Sequence, residues 1–154
     1  FNFSTSSSSA SIPFTLKAAE EKYGIDKSIS TFTVPLGATI NMDGTAIMQG
    51  CATFFLASRY GIDLGINELV MIVITATIAS IGTAGIPSAG IIMLTVIFTQ
   101  IGIPLEGITL LLGVDRLLDM MRTSVNVSGD ICISCVIASS ERQINEKLFN
   151  SGAV

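Results

Sequence analysis

Five polar residues near the end of the sequence carry its strongest chemical signal. Asp115, Asp119, Arg122, Asn126 and Asp130 are spaced 4, 3, 4 and 4 apart, and at about 100° per residue they fall within an arc of about 80° on a helix. The opposite face is Leu, Met, Val and Ile. A charge at mid-bilayer costs at least about 2.5 kcal/mol, so four on one stripe imply a wet or ion-filled cavity. The alternative is a buried ion-pair ladder in which Arg122 answers Asp119 and Asp115. That ladder leaves Asp130, about two turns from Arg122, without a base on its helix, and a bound cation is the natural partner. Arg122 itself is a planar, permanently charged fork for a carboxylate, which favours an anionic substrate.

A second cluster lies in Gly37-Ala-Thr-Ile-Asn-Met-Asp-Gly-Thr45. Asn41, Asp43 and Gly44 are poor helix-interior residues, so the helix is expected to unwind there and free carbonyl oxygens. Carbonyls with a carboxylate make an oxygen-only site for a hard cation, and Na⁺ is the simplest occupant. Two stretches of small residues complete the set. The tip Gly82 to Gly90 holds four residues that break helices, Gly82, Gly85, Pro87 and Gly90. Its glycines let backbone N–H groups approach a carboxylate and provide a hinge. The serine run within Phe3 to Pro13 reads alone as a flexible linker, and beside a membrane segment as a second tip.

These residues need elements to position them. Residues 28–42 and 44–58 are uncharged and separated only by Asp43, and the 37 residues from Leu69 to Leu105 hold no charge. The second run exceeds the roughly 20 residues of one crossing, yet it must break at 82–90, which gives two half-helices meeting within the bilayer. Each half of the chain thus reads as a small-residue tip followed by a long helix with an Asn and an Asp, Asn41 with Asp43 and Asn126 with Asp130. Such paired interruptions point to a transporter built by inverted repeats. Lys17, Lys22 and Lys27, and Arg142 with Lys147, mark the cytoplasmic side, and 59–68 the outer side.

The expected fold is an all-α membrane protein. Residues 1–27 form the distal half of a first re-entrant hairpin and a cytoplasmic loop, 28–60 an interrupted transmembrane helix, 61–107 a second re-entrant hairpin, 108–141 the last transmembrane helix, and 142–154 a frayed cytoplasmic tail.

Composition agrees. Of 154 residues, 49% are hydrophobic and only 13% charged, with mean hydropathy +0.69, too few charges for an ordinary soluble surface. The net charge of -4 offers nucleic acid no cationic field. The absence of histidine removes serine–histidine triads and His-ligated zinc. Cys51, Cys132 and Cys135 form no disulfide framework. The chain begins in mid-pattern at Phe1 and reads as the C-terminal piece of something longer.

Ser7 to Ser9, Asn-Met-Asp-Gly-Thr (Asn41 to Thr45), Gly-Ile-Pro-Ser-Ala-Gly (Gly85 to Gly90) and Asp-Met-Met-Arg-Thr-Ser-Val-Asn-Val-Ser-Gly-Asp (Asp119 to Asp130) together resemble the dicarboxylate and acidic amino-acid:cation symporters, the family of the glutamate transporters. The resemblance covers nearly the whole chain. It implies that Asp119 takes a substrate amino group and Arg122 its side-chain carboxylate, with Thr45, Thr123 and Asn126 on the remaining polar atoms. Ser8 and Ser9, and Ile86, Pro87 and Ala89 of the second tip, would close from the two sides. One sodium site would use Asp130 with carbonyls of Gly37, Asn41 and Asn126. A second would use Thr39, Ser80, Ile81 and Thr83, and a third Asn41 and Asp43 with a helix outside this chain. The resemblance further implies part of an elevator-type transport domain in a homotrimer. Ser6 and Met120 stand where many members carry an additional arginine.

The expected function is symport of acidic amino acids or C4-dicarboxylates driven by Na⁺, with H⁺ as the alternative ion, across a cell membrane. An intramembrane aspartyl protease using Asp43 and Asp130 and a passive anion channel are the rival readings. The protease needs a Gly-x-Gly-Asp context, whereas Asp130 follows Val-Ser-Gly.

Overall fold

The computed structural model describes residues 1–83 and 85–151. Ala84 of the second tip and residues 152–154 of the tail lie outside the described residues. The described chain is helical, in the order α1 (Asn2–Thr5), α2 (Ser8–Glu21), α3 (Lys27–Ile40), α4 (Asp43–Arg59), α5 (Ile66–Ile81), α6 (Ala89–Ile101), a 3-10 turn (Leu105–Gly107), α7 (Ile108–Leu112), α8 (Asp115–Ser140) and α9 (Glu146–Phe149).

Local chemistry sets the helix ends. Ser7 caps α2 by accepting from the Ala10 N–H at 3.2 Å. Asp26 caps α3, accepting from the Ser28 N–H at 2.8 Å and the Ser28 hydroxyl at 2.6 Å. Those bonds favour the carboxylate and hold its pKa below the ordinary 3.8. α3 stops at Asn41 and Met42, whose ψ angles of 70° and 48° are not helical. α6 ends at Gly102, whose φ of +80° suits glycine, with the Ile103 N–H returning to the Phe98 carbonyl at 2.9 Å.

α8 is the central post, flanked by α3 on one side and α4 on the other. Two apolar clusters brace it. Leu56, Leu94, Ile97 and Phe98 fill the space among α4, α5 and α6, where Ala52, Ala57 and Ala76 allow close helix approach. Ala19, Val34, Ile131 and Ala138 fill the space among α2, α3 and α8. The outer surface is apolar, with Phe32, Ile66, Ile92 and Val136 each at least 65% exposed.

Three features differ from the sequence reading. The segment 108–141 is not one helix: α7 ends at Leu112 and α8 starts at Asp115, so the stripe begins at a helix N-terminus. Among the described residues no helix is long and apolar enough to cross a membrane. The break at 41–42 leaves α3 and α4 at 14 and 17 residues, and the polar stripe lowers the hydropathy of the 26-residue α8. Third, the tail is tied down through Asn145, after which no residue of α9 is buried. An isolated antiparallel bridge joins Ile25 to Ile144, Asp26 donates to the Gln143 carbonyl at 3.0 Å, and Asn145 donates to the Gly24 carbonyl at 2.8 Å.

Candidate functional site

The whole α8 stripe is turned inward: Asp115, Asp119, Arg122, Asn126 and Asp130 are buried. Arg122 Nη2 lies 2.7 Å from Asp119 Oδ1, an ion pair with both side chains at most 4% exposed, although its angle is not that of a hydrogen bond. This is half of the ladder considered above. Asp115 is not its second rung, because its Oδ2 accepts from the Ser88 hydroxyl at 2.5 Å. Arg122 Nη2 also points at the Ile86 carbonyl, 3.5 Å away, while Nε and Nη1 are buried without a partner. Gly90 lets the start of α6 lie against Nη1, a contact that a Cβ would block.

One turn further along, Asn126 ties α8 to the start of α4. Its Oδ1 accepts from the Gly44 N–H at 2.8 Å, and its Nδ2 faces Thr45 Oγ1 and Met42 Sδ, each at 3.2 Å. An amide from α8 thereby takes up the Gly44 N–H of the first turn of α4, while the Thr45 and Ala46 N–H groups return to the Met42 carbonyl at 3.0 and 3.1 Å. Beyond it, Asp130 Oδ1 accepts from Asn41 Nδ2 at 2.9 Å and packs onto Gly37.

The two tips meet. The Ser7 hydroxyl donates to the Gly85 carbonyl at 2.7 Å, and the Ser9 N–H approaches the same oxygen at 3.2 Å.

The structure therefore gathers Asp119, Arg122, Thr123, Asn126, Thr45 and the Ile86 carbonyl on one side, and Gly37, Asn41 and Asp130 on the other. It does not gather everything. The side chains of Ser9, Ile86 and Pro87 are exposed, as are those of Thr39, Asp43 and Ile81, whereas Ser8 and Ala89 are buried. The hydroxyls of Thr39, Ser80 and Thr83 donate to carbonyls of their own turns. Donating leaves the lone pairs of each hydroxyl oxygen free, so these residues offer a cation hydroxyl as well as main-chain oxygens. Among the described residues no three Asp, Glu, Cys or His side chains converge. A cation beside Asp130 would be held by one carboxylate, amide oxygens and carbonyls, a donor set that fits Na⁺ and not a transition metal.

Residues 1–140 match the sodium:dicarboxylate symporter family. The chain belongs to that family. It is 52% identical over 149 residues to excitatory amino acid transporter 3 of Mus musculus, covering 97% of this chain and 28% of that protein. Excitatory amino acid transporter 3 of Homo sapiens is 50% identical over the same span. Excitatory amino acid transporter 1 of Rattus norvegicus is 50% identical over 126 residues, 82% of this chain and 23% of that protein. The chain thus spans about a quarter of the length of the curated relatives it matches. The sodium:dicarboxylate symporter family is one of membrane transporters, not enzymes.

Within this sodium:dicarboxylate symporter chain, residue reasoning passed over four contributors to the site: Ser7, Ser88, Gly90 and Met42. Ser88 and Gly90 lie inside the Gly-rich tip already singled out, and Ser7 inside the serine run. Only the left-handed φ of Ser88, +61°, and the meeting of the tips select them. Met42 gave no sequence signal, since an apolar residue beside Asn41 reads as packing.

Proposed function

We propose that the full-length transporter carrying this chain is a secondary-active symporter of acidic amino acids, aspartate or glutamate, or of C4-dicarboxylates, driven by Na⁺ with H⁺ as the alternative ion. The observation that carries this reading is Arg122, a buried guanidinium whose Nε and Nη1 have no partner and which lies beside a glycine-lined tip. Such a fork calls for a carboxylate. Asp119 is the counter-group for a substrate ammonium, and Thr45, Thr123 and Asn126 supply neutral polar contacts. Ser8, Ser9 and the tip from Ile86 to Ala89 close over the substrate.

Asp130 is buried with a single neutral donor, Asn41, so its charge calls for a cation, and Gly37, Asn41 and Asn126 would supply further oxygens. Two more sodium positions are proposed, one at Thr39, Ser80, Ile81 and Thr83, one at Asn41 and Asp43. Sodium is cargo here. Na⁺ cancels the Asp130 charge and a carboxylate answers Arg122, so the loaded site crosses a low-dielectric barrier at lower cost than either charge alone. In this reading α5 and α6 form a re-entrant hairpin, α2 half of another, and the whole is part of an elevator-type transport domain of a homotrimer in the cell membrane.

Neither rival has support. Asp130 is bonded to Asn41 rather than to a second carboxylate, and the matched family consists of transporters. The experiment is uptake of radiolabelled aspartate and succinate into liposomes holding the full-length protein, with and without a Na⁺ gradient. Accumulation that needs the gradient is expected, and equal flux without it overturns the symporter reading. Arg122→Cys should lower acidic-substrate uptake by about 30-fold or more at limiting substrate, as truncating one partner of a buried charged contact does. Unchanged acidic uptake would make Arg122 structural.

A further inference from the structure

We propose that Ser88 is the latch of the tip: its hydroxyl and N–H fasten the α5–α6 connection to Asp115 and Asp119, and by holding Asp119 it positions the substrate site. The inference rests on the transport reading above and goes beyond it by naming the residue that sets how firmly the tip closes.

The geometry is specific to one residue. Ser88 donates its hydroxyl to Asp115 Oδ2 at 2.5 Å and its N–H to Asp119 Oδ2 at 2.6 Å. Its φ of +61° lies in the left-handed region, which a serine occupies only where the surroundings hold it. In that conformation both donors face the same helix. Asp115 and Asp119 are one turn apart and repel as like charges, and both are buried. Arg122 makes its close ion pair with Asp119, through Oδ1, while Asp115 Oδ1 is buried without a hydrogen-bond partner. Opening the tip therefore strips each acid of a donor, and closing it restores both. The Ser88 N–H also fixes the rotation of the Asp119 carboxylate, which leaves Oδ1 directed at Arg122. Immediately after Ser88, Ala89 and Gly90 bury the start of α6 against Arg122, so the same latch seats the tip over the guanidinium. Ser88 acts through Asp119 and is a positioning residue.

The test places spin labels at Ile92 and Val136, both exposed, in the full-length transporter freed of other reactive cysteines, reads the distance distribution in liposomes without substrate, and measures uptake on the unlabelled protein. Ser88→Ala and Ser88→Gly should each lower the closed-to-open ratio about tenfold, as loss of one bond to a charged acceptor does. Glycine relaxes the φ and alanine does not, so equal opening assigns the effect to the hydroxyl. Asp115→Ala should open the tip to the same extent, and the double variant Ser88→Ala with Asp115→Ala by no more than the larger single change. For aspartate uptake, KM should rise about tenfold in Ser88→Ala while the maximal rate stays within about twofold. A Ser88→Gly tip that stays closed, or multiplicative effects in the double variant, would overturn the latch. Distances that shift as expected in a protein with no Na⁺-driven uptake would overturn the transport reading and leave the latch standing. Unmoved distances with normal uptake would do the reverse.

Discussion

At the scale of single residues, two glycines separate the two halves of the proposed chemistry. A Cβ at Gly37 would fall on the Asp130 carboxylate, and one at Gly90 would fall on Arg122 Nη1 and 2.8 Å from Met48 Cε. Gly37→Ala should therefore displace the proposed sodium ligand, and Gly90→Ala the proposed substrate ligand. In uptake assays we expect Gly37→Ala to raise the Na⁺ concentration for half-maximal aspartate transport about tenfold, and Gly90→Ala to raise the aspartate KM by a similar factor at saturating Na⁺; an ångström-scale displacement of a site residue costs up to about 100-fold. Gly50, with nothing within 4 Å of its Cβ position, is the control, and Gly50→Ala should leave both constants unchanged. Crossed effects would contradict two separate sites. The stripe from Asp115 to Asp130 was legible in the sequence because helical period alone aligns it. The pairing of Arg122 with Asp119 was legible for the same reason, three residues apart on that helix, whereas the turn of Ser88 and the sulfur of Met42 were not, because they depend on dihedral angles and on segments dozens of residues away.

At the scale of elements, the interruptions were the legible part. Asn41–Met42 and the stretch after Ile81 break their helices where helix-averse residues gather. The gap between α7 and α8 was missed because Gly113 and Val114 sit in an apolar run with only one breaker. The clasp of the tail was missed for another reason. It is made by main-chain groups of Gly24, Asp26, Gln143 and Asn145, which carry no side-chain pattern. The Asp26 side chain, which caps α3 beside this clasp, gives the cap a pH signature. Its pKa is lowered in the folded chain by the bonds from Ser28, so its contribution is fully present above the ordinary carboxylate value of 3.8 and is lost as pH falls through the lower folded value. Hydrogen-exchange protection of the Ser28 amide should hold down to that range and drop below it. Asp26→Ala should lack the protection at neutral pH and show no further loss on acidification. Protection in that variant equal to the parent would remove the cap from the account.

At the scale of the whole molecule, α8 joins the two proposed sites, since Asn126 and Asp130 lie one turn apart on it. Both are also fastened to the break between α3 and α4, Asn126 through Gly44 and Asp130 through Asn41. A cation that pulls on Asn41 and Asp130 must therefore adjust the same unwound segment whose next residues, Gly44 and Thr45, border the proposed substrate site. Sites fastened to one unwound segment are expected to be coupled, and coupling in binding is reciprocal: the factor by which Na⁺ tightens aspartate equals the factor by which aspartate tightens Na⁺, typically about 5–150-fold. Calorimetric titration of the full-length protein with aspartate at two Na⁺ concentrations, and with Na⁺ at two aspartate concentrations, should give the same factor. Asp130→Asn keeps an oxygen to accept from Asn41 but removes the charge, so it should reduce that factor to within about twofold of unity while aspartate still binds to Arg122. Arg122→Cys should do the converse, leaving Na⁺ binding measurable with no response to aspartate. A sodium dependence that persists undiminished in Asp130→Asn would place the coupling ion elsewhere, at the positions around Ser80 and Thr83 or beside Asp43.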